Sequence, residues 1–418
     1  MKILYISQYF PPEMGAPAAR AAELAKYWVQ AGHEVTVLTG FPNHPTGKLH
    51  PDYKKAFRRL IRRENCDGVR VVRTWLLPLP NRKAHERMLN YGSFCVSASA
   101  AGSFVERPDV VIATSPQLLV GLAGWWVADW KRVPFVFEVR DLWPESLVAV
   151  GMGGEGSALH WMLEKIAAFL YRKSSHIVVV TPAFKRQLIE NWRVPAEKIS
   201  IIENGVETDM FRQVPANELR RQLGGQGKLL FCYSGTMGMA HGLETLLDAA
   251  ADLSQSDPHI LFVLVGEGAE KERIKALAAS RKLDNVRFVD QQPREKIPEY
   301  ISASDGCLVL LRRTELFKTV IPTKMLEFMA CARPVILAVD GQSREIVENA
   351  KAGIFVEPEN AAALAAAVRK LAADRGLRES LGRNGREHIL QHYARQRTAE
   401  EYAQLLSGLT SGTASTRE

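Results

Sequence analysis

Cysteine is scarce in this chain: five among 418 residues (Cys66, Cys95, Cys232, Cys307 and Cys331), an odd number, widely scattered and mostly inside apolar runs. That argues against a disulfide framework and favours reduced core thiols in a cytosolic compartment. There is no C-x-x-C and no paired Cys/His spacing that would suggest zinc. The dinucleotide fingerprint G-x-G-x-x-G is missing as well, which disfavours a dehydrogenase. Met1-Lys2 leads directly into ILYIS, too short for a signal-peptide core, so no leader is expected. Long clean apolar runs are also lacking. Residues 88–105 and 110–128 carry no charge, but the first holds Asn90, four serines and two glycines, and the second is broken by Thr114-Ser115-Pro116-Gln117. Neither is expected to span a membrane. Acid is in deficit: the net charge of +8 and pI near 9.2 point to an anionic partner, whether a membrane surface, a nucleic acid or a phosphorylated substrate.

What the chain does have is a rhythm. KILYIS, EVTVLT, VRVVRT, DVVIAT, PFVFEV and HIVVVT are short apolar runs separated by helical patterns, and LLFCYS, ILFVLV, VRFV, CLVLL, PVILA and GIFV repeat the series. Fully apolar strands alternating with helices imply parallel sheets covered on both faces, and two series imply two α/β domains. The join is expected near the polar, Gly-rich stretch 205–228. Helices are expected at Ala361–Leu371 and Arg386–Leu409, with a frayed tail.

In doubly wound sheets ligands lie beyond the carboxyl ends of strands, so the residues just after each strand carry the interest. In VIPTKMLEFMACARPV, Thr323 suits a helix N-cap, and Met325, Leu326, Phe328 and Met329 form an apolar stripe. Lys324 and Glu327 remain as ionisable groups near the helix entrance, suited to a phosphate and to a pair of ribose hydroxyls. After the first strand, Gly15 sits where backbone can approach a phosphate, with Arg20 further on. GTMGMAHG (235–242) places three glycines at a strand-to-helix junction, a phosphate cradle formed around Gly235, Thr236, Gly238 and His241. VGEGAE, with Glu267, repeats the idea more weakly and reads mostly as a turn. RDLWPES clusters Arg140, Asp141 and Glu145 beside an aromatic wall, suited to a sugar or to a structural ion pair. Asn204-Gly205 marks a tight turn at the join. Lys54-Lys55, Arg58-Arg59 and Arg62-Arg63 recur every four residues, as on a helix with one cationic side. That pattern fits an anionic membrane surface, or an ordinary surface helix packed through Phe57 and Leu60.

Taken together, IENGVETDMF, GHEVTVLT, GTMGMAHGLETLL, VGEGAEKERIKALA and KMLEFMACARPVI resemble retaining glycosyltransferase family 4, in the family's order and over residues 1–395. RDLWPES, YSGTMG and IPTKMLEFMA are most similar to its bacterial surface-polysaccharide branch, whose members often handle N-acetylfucosamine or a related amino sugar. The resemblance implies a GT-B fold of two facing Rossmann-like doubly wound parallel-sheet domains. These would be residues 1–205 for the acceptor and 206–395 for the nucleotide sugar, with 396–418 packing back on the first. It implies metal-independent transfer from a UDP-sugar to a polyprenyl-diphosphate-linked saccharide. No cofactor is implied. The protein would be cytoplasmic, peripheral on the inner face of the plasma membrane.

In the family's E-x7-E pattern the second glutamate, which bonds the ribose, falls on Glu327. The first falls on Thr319, with Glu315 nearby but out of register. Thr236 and His241 stand where the family has Arg and Lys, so Lys324, assisted by helix-start amides at Gly235–Gly238, is the expected partner of the diphosphate. Arg140 stands where the family often has histidine, and it or Arg20 would assist. No nucleophile is identifiable, so same-face attack is favoured, with Asp141 and Glu145 orienting hydroxyls. A nucleotide-sugar epimerase or phosphorylase on the same fold is a second reading. A basic membrane or nucleic-acid adaptor is a third, though the basic run lacks the interleaved aromatics that stack on bases, and no nucleic acid is expected.

Overall fold

The computed structural model of the chain describes residues 1–44, 47–79, 84–144 and 157–415. The chain divides into two units, Met1–Asn204 with Arg395–Glu418, and Gly205–Ala394.

In unit 1 the apolar runs become a sheet of eight strands: β1 (Lys2–Ile6), β2 (Glu34–Gly40), β3 (Ile61–Cys66), β4 (Val69–Thr74), β5 (Val110–Thr114), β6 (Phe135–Val139), β7 (His176–Val179) and β8 (Ile199–Ile201), in the order β3-β4-β2-β1-β5-β6-β7-β8. All pairs are parallel except β3 with β4. Every residue of β5 and β6 is buried, as strands covered on both faces require. Val110 and Ile112 point into one core with the helix Ala16–Gln30 and the C-terminal helix Arg395–Ser415. Trp28 ties those two helices together, donating from Nε1 to the Ala399 carbonyl at 3.0 Å and meeting the Tyr402 ring edge-on. Residues of the alternate parity face the other way. There the helix Val120–Lys131 lies directly on the sheet, because a Cβ at Gly124 would stand 2.5 Å from that of Ala113.

The basic segment departs from the expected cationic helix. Only Lys54–Phe57 is helical; Leu60 takes a left-handed conformation at φ 64°, and Ile61 then starts β3. In a strand, Arg62 and Arg63 point to opposite faces. Arg62 reaches Glu64 at 3.0 Å and covers the Tyr53 ring, so one cationic side does not run from Lys54 to Arg63.

Unit 2 holds six parallel strands: β9 (Leu229–Ser234), β10 (Ile260–Val265), β11 (Val286–Val289), β12 (Gly306–Leu310), β13 (Val335–Ala338) and β14 (Gly353–Phe355), in the order β11-β10-β9-β12-β13-β14. Residues alternate between two cores: Leu230 and Cys232 enter one, Phe231 and Tyr233 the other. The strand order reverses at β9 and β12, so the crevice for a ligand opens beyond Ser234 and Leu310. In unit 1 the corresponding reversal lies between β1 and β5. The expected helix 386–409 is two helices, Arg375–His392 and Arg395–Ser415. They separate at Tyr393-Ala394, where the chain passes from unit 2 back to unit 1.

Candidate active site

Beyond β9 the chain turns at Gly235, φ 135°, and its amide donates to the Val265 carbonyl at 2.9 Å. The next strand end packs against this turn backbone to backbone. A Cβ at Gly266 would lie 2.0 Å from the Gly235 carbonyl oxygen, and one at Gly268 would lie 2.3 Å from that of Met237. VGEGAE is therefore more than a turn: its glycines let two strand-end loops touch. Met237 donates to the Glu267 carbonyl at 2.8 Å, while the Glu267 side chain pairs with Lys271. Glu267 thus shapes the glycine loop through its backbone. The loop continues as a short 3-10 turn, Met239–His241, held by Arg312, and the α-helix starts only at Glu244. The amides of Gly235–Gly238 are consequently loop amides rather than a helix start, and those of Gly235 and Met237 are already engaged.

Lys324 comes to this loop from the other side of the reversal. It sits in the helix Thr323–Ala330, whose Met325, Leu326, Phe328 and Met329 are buried. Pro322, extended at ψ 122°, takes the N-cap position, so Thr323 is the first helical residue instead of the cap, and no side chain caps the helix. The Lys324 Nζ lies 2.8 Å from where a Gly235 Cβ would be, 3.0 Å from the Tyr233 hydroxyl and 4.2 Å from that ring's centroid. The Tyr233 hydroxyl donates to the Thr236 carbonyl at 2.6 Å. A cation, an aromatic face and a glycine turn are thus one assembly. Burial pushes the ammonium down to about 7 against the opposing pull of Glu327. Burial, with Lys324 nearby, also pushes His241 down to about 3, so its imidazole is neutral and adds no charge beside Lys324.

Replacing Tyr233 by phenylalanine removes the hydroxyl that takes a hydrogen bond from Lys324. Affinity for a nucleoside diphosphate measured by calorimetry should fall about five- to tenfold, the worth of one ordinary hydrogen bond. An unchanged affinity would take Tyr233 out of the assembly.

Glu327 accepts from Arg294 Nη1 at 2.9 Å, both side chains largely buried, and the Arg294 guanidinium covers the Phe211 ring. Arg294 was not singled out by the sequence. Thr319, at the position of the family's first glutamate, turns its hydroxyl back to the Leu316 carbonyl. Glu315 is exposed and paired with Lys318, so it does not take that position over.

In unit 1 the residues beyond β1 and β6 form a second polar cluster. Arg20 does not offer its guanidinium to a phosphate. Buried in the helix Ala16–Gln30, it donates from Nε and Nη2 to Glu138, from Nη2 to the Ile202 carbonyl, and from Nη1 to the Glu203 carbonyl and Asn204 Oδ1. Those five bonds use its five N–H groups, making Arg20 and Asn204 a structural tie between β6 and the end of the unit. Arg140 is different: its buried Nε and Nη1 have no hydrogen-bond partner among the described residues. Ser115 Oγ holds the Arg140 amide at 2.7 Å and the Asp141 amide at 3.3 Å. Burial pushes the Asp141 carboxyl up to about 6, opposed by Arg140. Glu145 lies outside the described residues. Gly15, φ 130°, caps the helix that carries Arg20 and leaves its start without a side-chain cap.

Glu13, just before that cap, was also missed. It is buried, with Oε1 accepting from the amides of Asn43 and His44 at 2.9 Å each and Oε2 without a partner among the described residues. Burial pushes it up to about 7. Its sequence signal was weak, since a glutamate after two prolines reads as loop surface.

Two family models match the chain: the glycosyl transferase 4-like domain over residues 15–205 and glycosyl transferases group 1 over residues 216–388. A relative named putative colanic acid biosynthesis glycosyl transferase WcaI, from Escherichia coli K12, is 26% identical over 88% of this chain and 92% of its own. Among solved structures, sucrose-phosphate synthase from Thermosynechococcus elongatus has a TM-score of 0.78 at 23% identity over 98% of this chain and 99% of its own. Anabaena HepE in complex with UDP-glucose has a TM-score of 0.72 at 19% identity over 98% and 100%. The chain is a glycosyltransferase of the group 1 type with a GT-B fold, its two units corresponding to the two matched domains.

Proposed function

We propose that the protein is a retaining glycosyltransferase that moves a sugar from a UDP-sugar to a lipid-linked saccharide in the synthesis of a bacterial surface polysaccharide. The sugar is an N-acetylated amino sugar such as N-acetylfucosamine or N-acetylglucosamine. The observation that carries the donor half is the seating of the Lys324 ammonium against the Gly235 turn. Breaking the anomeric bond places negative charge on the departing diphosphate, and a fixed cation with loop amides around it is the strongest help a protein can give. Glu327 receives the ribose hydroxyls, taking the place of its contact with Arg294. The Arg140 nitrogens that have no partner among the described residues and the raised carboxyl of Asp141 serve sugar hydroxyls in unit 1. The acceptor oxygen attacks on the face the diphosphate leaves, and a diphosphate oxygen takes the acceptor proton. No metal takes part. The names of the WcaI relative and of the UDP-glucose complex of HepE support the polysaccharide and nucleotide parts of this reading.

Among the described residues no helix is long and apolar enough to cross a membrane. The protein meets the inner face of the plasma membrane peripherally, with Lys54, Lys55, Arg58 and Arg59 contributing attraction to anionic lipid. The test is a turnover screen of UDP-, GDP- and dTDP-sugars with a polyprenyl-diphosphate sugar as acceptor, followed by the anomeric coupling constant of the product. Transfer from a UDP-N-acetylamino sugar with the donor's anomeric configuration is expected. Inversion, or turnover only with another nucleotide, would overturn it.

A further inference from the structure

All eight tryptophans lie in unit 1, and several are not in its core. The helices Ala84–Phe104, Val120–Lys131 and Ala158–Lys173 lie side by side, joined across Gly102, which packs on Val127, and across the edge-on pair Trp125–Phe169. Their outer side should be charged if it faced water alone. Instead it shows Val96 at 72% exposure, Phe104 at 85%, Trp126 at 47%, Trp130 at 64% and Trp161 at 61%, with Met162 beside the last. Between Arg87 and Glu106 no residue carries a charge. Large apolar side chains this exposed on three adjoining helices go beyond the scattered single ones of an ordinary soluble surface, and such exposure marks a partner.

The surroundings say which partner. Cations sit at the margin: Lys131 anchors to the carbonyls of Ser103 and Val105 at 2.7 Å, Arg107 donates to the Lys131 carbonyl at 3.1 Å, and Lys165 lies 5.6 Å from the Trp161 centroid. The basic turn Lys54–Arg59 lies near the first helix as well: the Phe57 ring faces the Trp75 ring, and the Trp75 carbonyl accepts from Ser97 on that helix. Glu86, Asp129 and Glu164 are the acids on these helices, with Glu164 3.4 Å from His160, and at the margin Glu106 is paired with Lys2 and Arg70. Tryptophan with one apolar side and one polar edge, framed by Lys and Arg, is the chemistry of the headgroup boundary of an anionic bilayer. A second copy fits less well, because a two-fold contact would set a basic margin against itself.

We propose that this three-helix aromatic face is the surface that lies on the membrane, with its tryptophans in the headgroup layer and the basic turn as a flanking electrostatic contact. The idea rests on the reading of a membrane-borne acceptor, but its test is scored without any sugar donor, so the two can fail separately. Full-length protein is floated with vesicles of equal parts phosphatidylethanolamine and phosphatidylglycerol, at low salt and at about 1 M salt, where charge contacts are screened within about 3 Å. Wild type should float in both conditions, less at high salt. Trp126→Ser/Trp130→Ser/Trp161→Ser should lose the salt-resistant fraction by about tenfold or more, with an unchanged melting temperature. Replacing Lys54, Lys55, Arg58 and Arg59 by glutamine should remove the salt-sensitive part alone. In case the triple variant misfolds, quenching of native tryptophan fluorescence by brominated lipid gives a second reading, with quenching expected. Equal flotation of the triple variant at high salt, no flotation or quenching of wild type, or a tryptophan-dependent dimer that ignores vesicles would each overturn the proposal.

Discussion

Replacing Lys324 by alanine should reduce transfer by a hundredfold or more, with UDP affinity falling alongside, because it removes the charge against which the diphosphate departs. A single preorganised group aimed at developing charge is worth about 3–4 kcal/mol, or 10²–10³ in rate. Within the loop His241 is neutral, and the Gly235 and Met237 amides are already engaged, so the loop itself makes up little of the lost charge. The lysine also sets a pH signature. With burial holding it near 7 before a diphosphate binds, it is largely deprotonated above that pH and must take up a proton on binding. The sign follows directly. Affinity should be flat well below pH 7 and fall as pH rises beyond it, by up to about tenfold per unit, since one pKa unit corresponds to about 1.4 kcal/mol. Titrating a UDP-sugar, whose diphosphate has no group that titrates between pH 6 and 9, across that range measures this, and Lys324→Ala should flatten the curve. A wild-type affinity independent of pH would mean that the ammonium does not meet the phosphates.

Lys324 and the Gly235 loop were legible because two regularities coincide there. Doubly buried strands such as ILFVLV announce themselves as uncharged runs, and ligands collect where such strands end. The same logic could not reach Arg294. It sits in QQPREK, a stretch with nothing to distinguish it from a solvated loop, and meets Glu327 only through the fold. The strand β3 was hidden for a different reason. Edge strands alternate exposure residue by residue, as IRRENC does, and its arginines fell on a four-residue spacing that mimics a helix. The break at Leu60 depends on a left-handed backbone that leucine seldom adopts, which no propensity reveals. Arg20 shows the converse. A cation near a strand end was easy to notice, but only the coordinates show its five donors consumed by Glu138, Ile202, Glu203 and Asn204.

Glu327→Ala should also cost about a hundredfold in kcat/KM, and by two routes that can be separated. The first is loss of the acceptor for the ribose hydroxyls, a pair of charge-assisted hydrogen bonds worth about 3 kcal/mol together. The second runs through Lys324, whose proton the Glu327 carboxylate helps to retain. Without that carboxylate the lysine pKa drops further below 7, and Arg294 loses its 2.9 Å contact. At neutral pH less of the enzyme then carries the ammonium. Glu327→Gln keeps the shape and part of the hydrogen bonding but not the charge, so it isolates the second route. Its UDP-sugar affinity should begin to fall at lower pH than in wild type, and lowering the pH should recover much of the loss. Glu327→Ala should show the same acid-ward displacement but stay weak at every pH, since the ribose contact does not titrate. If Glu327→Gln kept the wild-type pH profile, the carboxylate and the ammonium would not be coupled, and Glu327 would act on the donor alone.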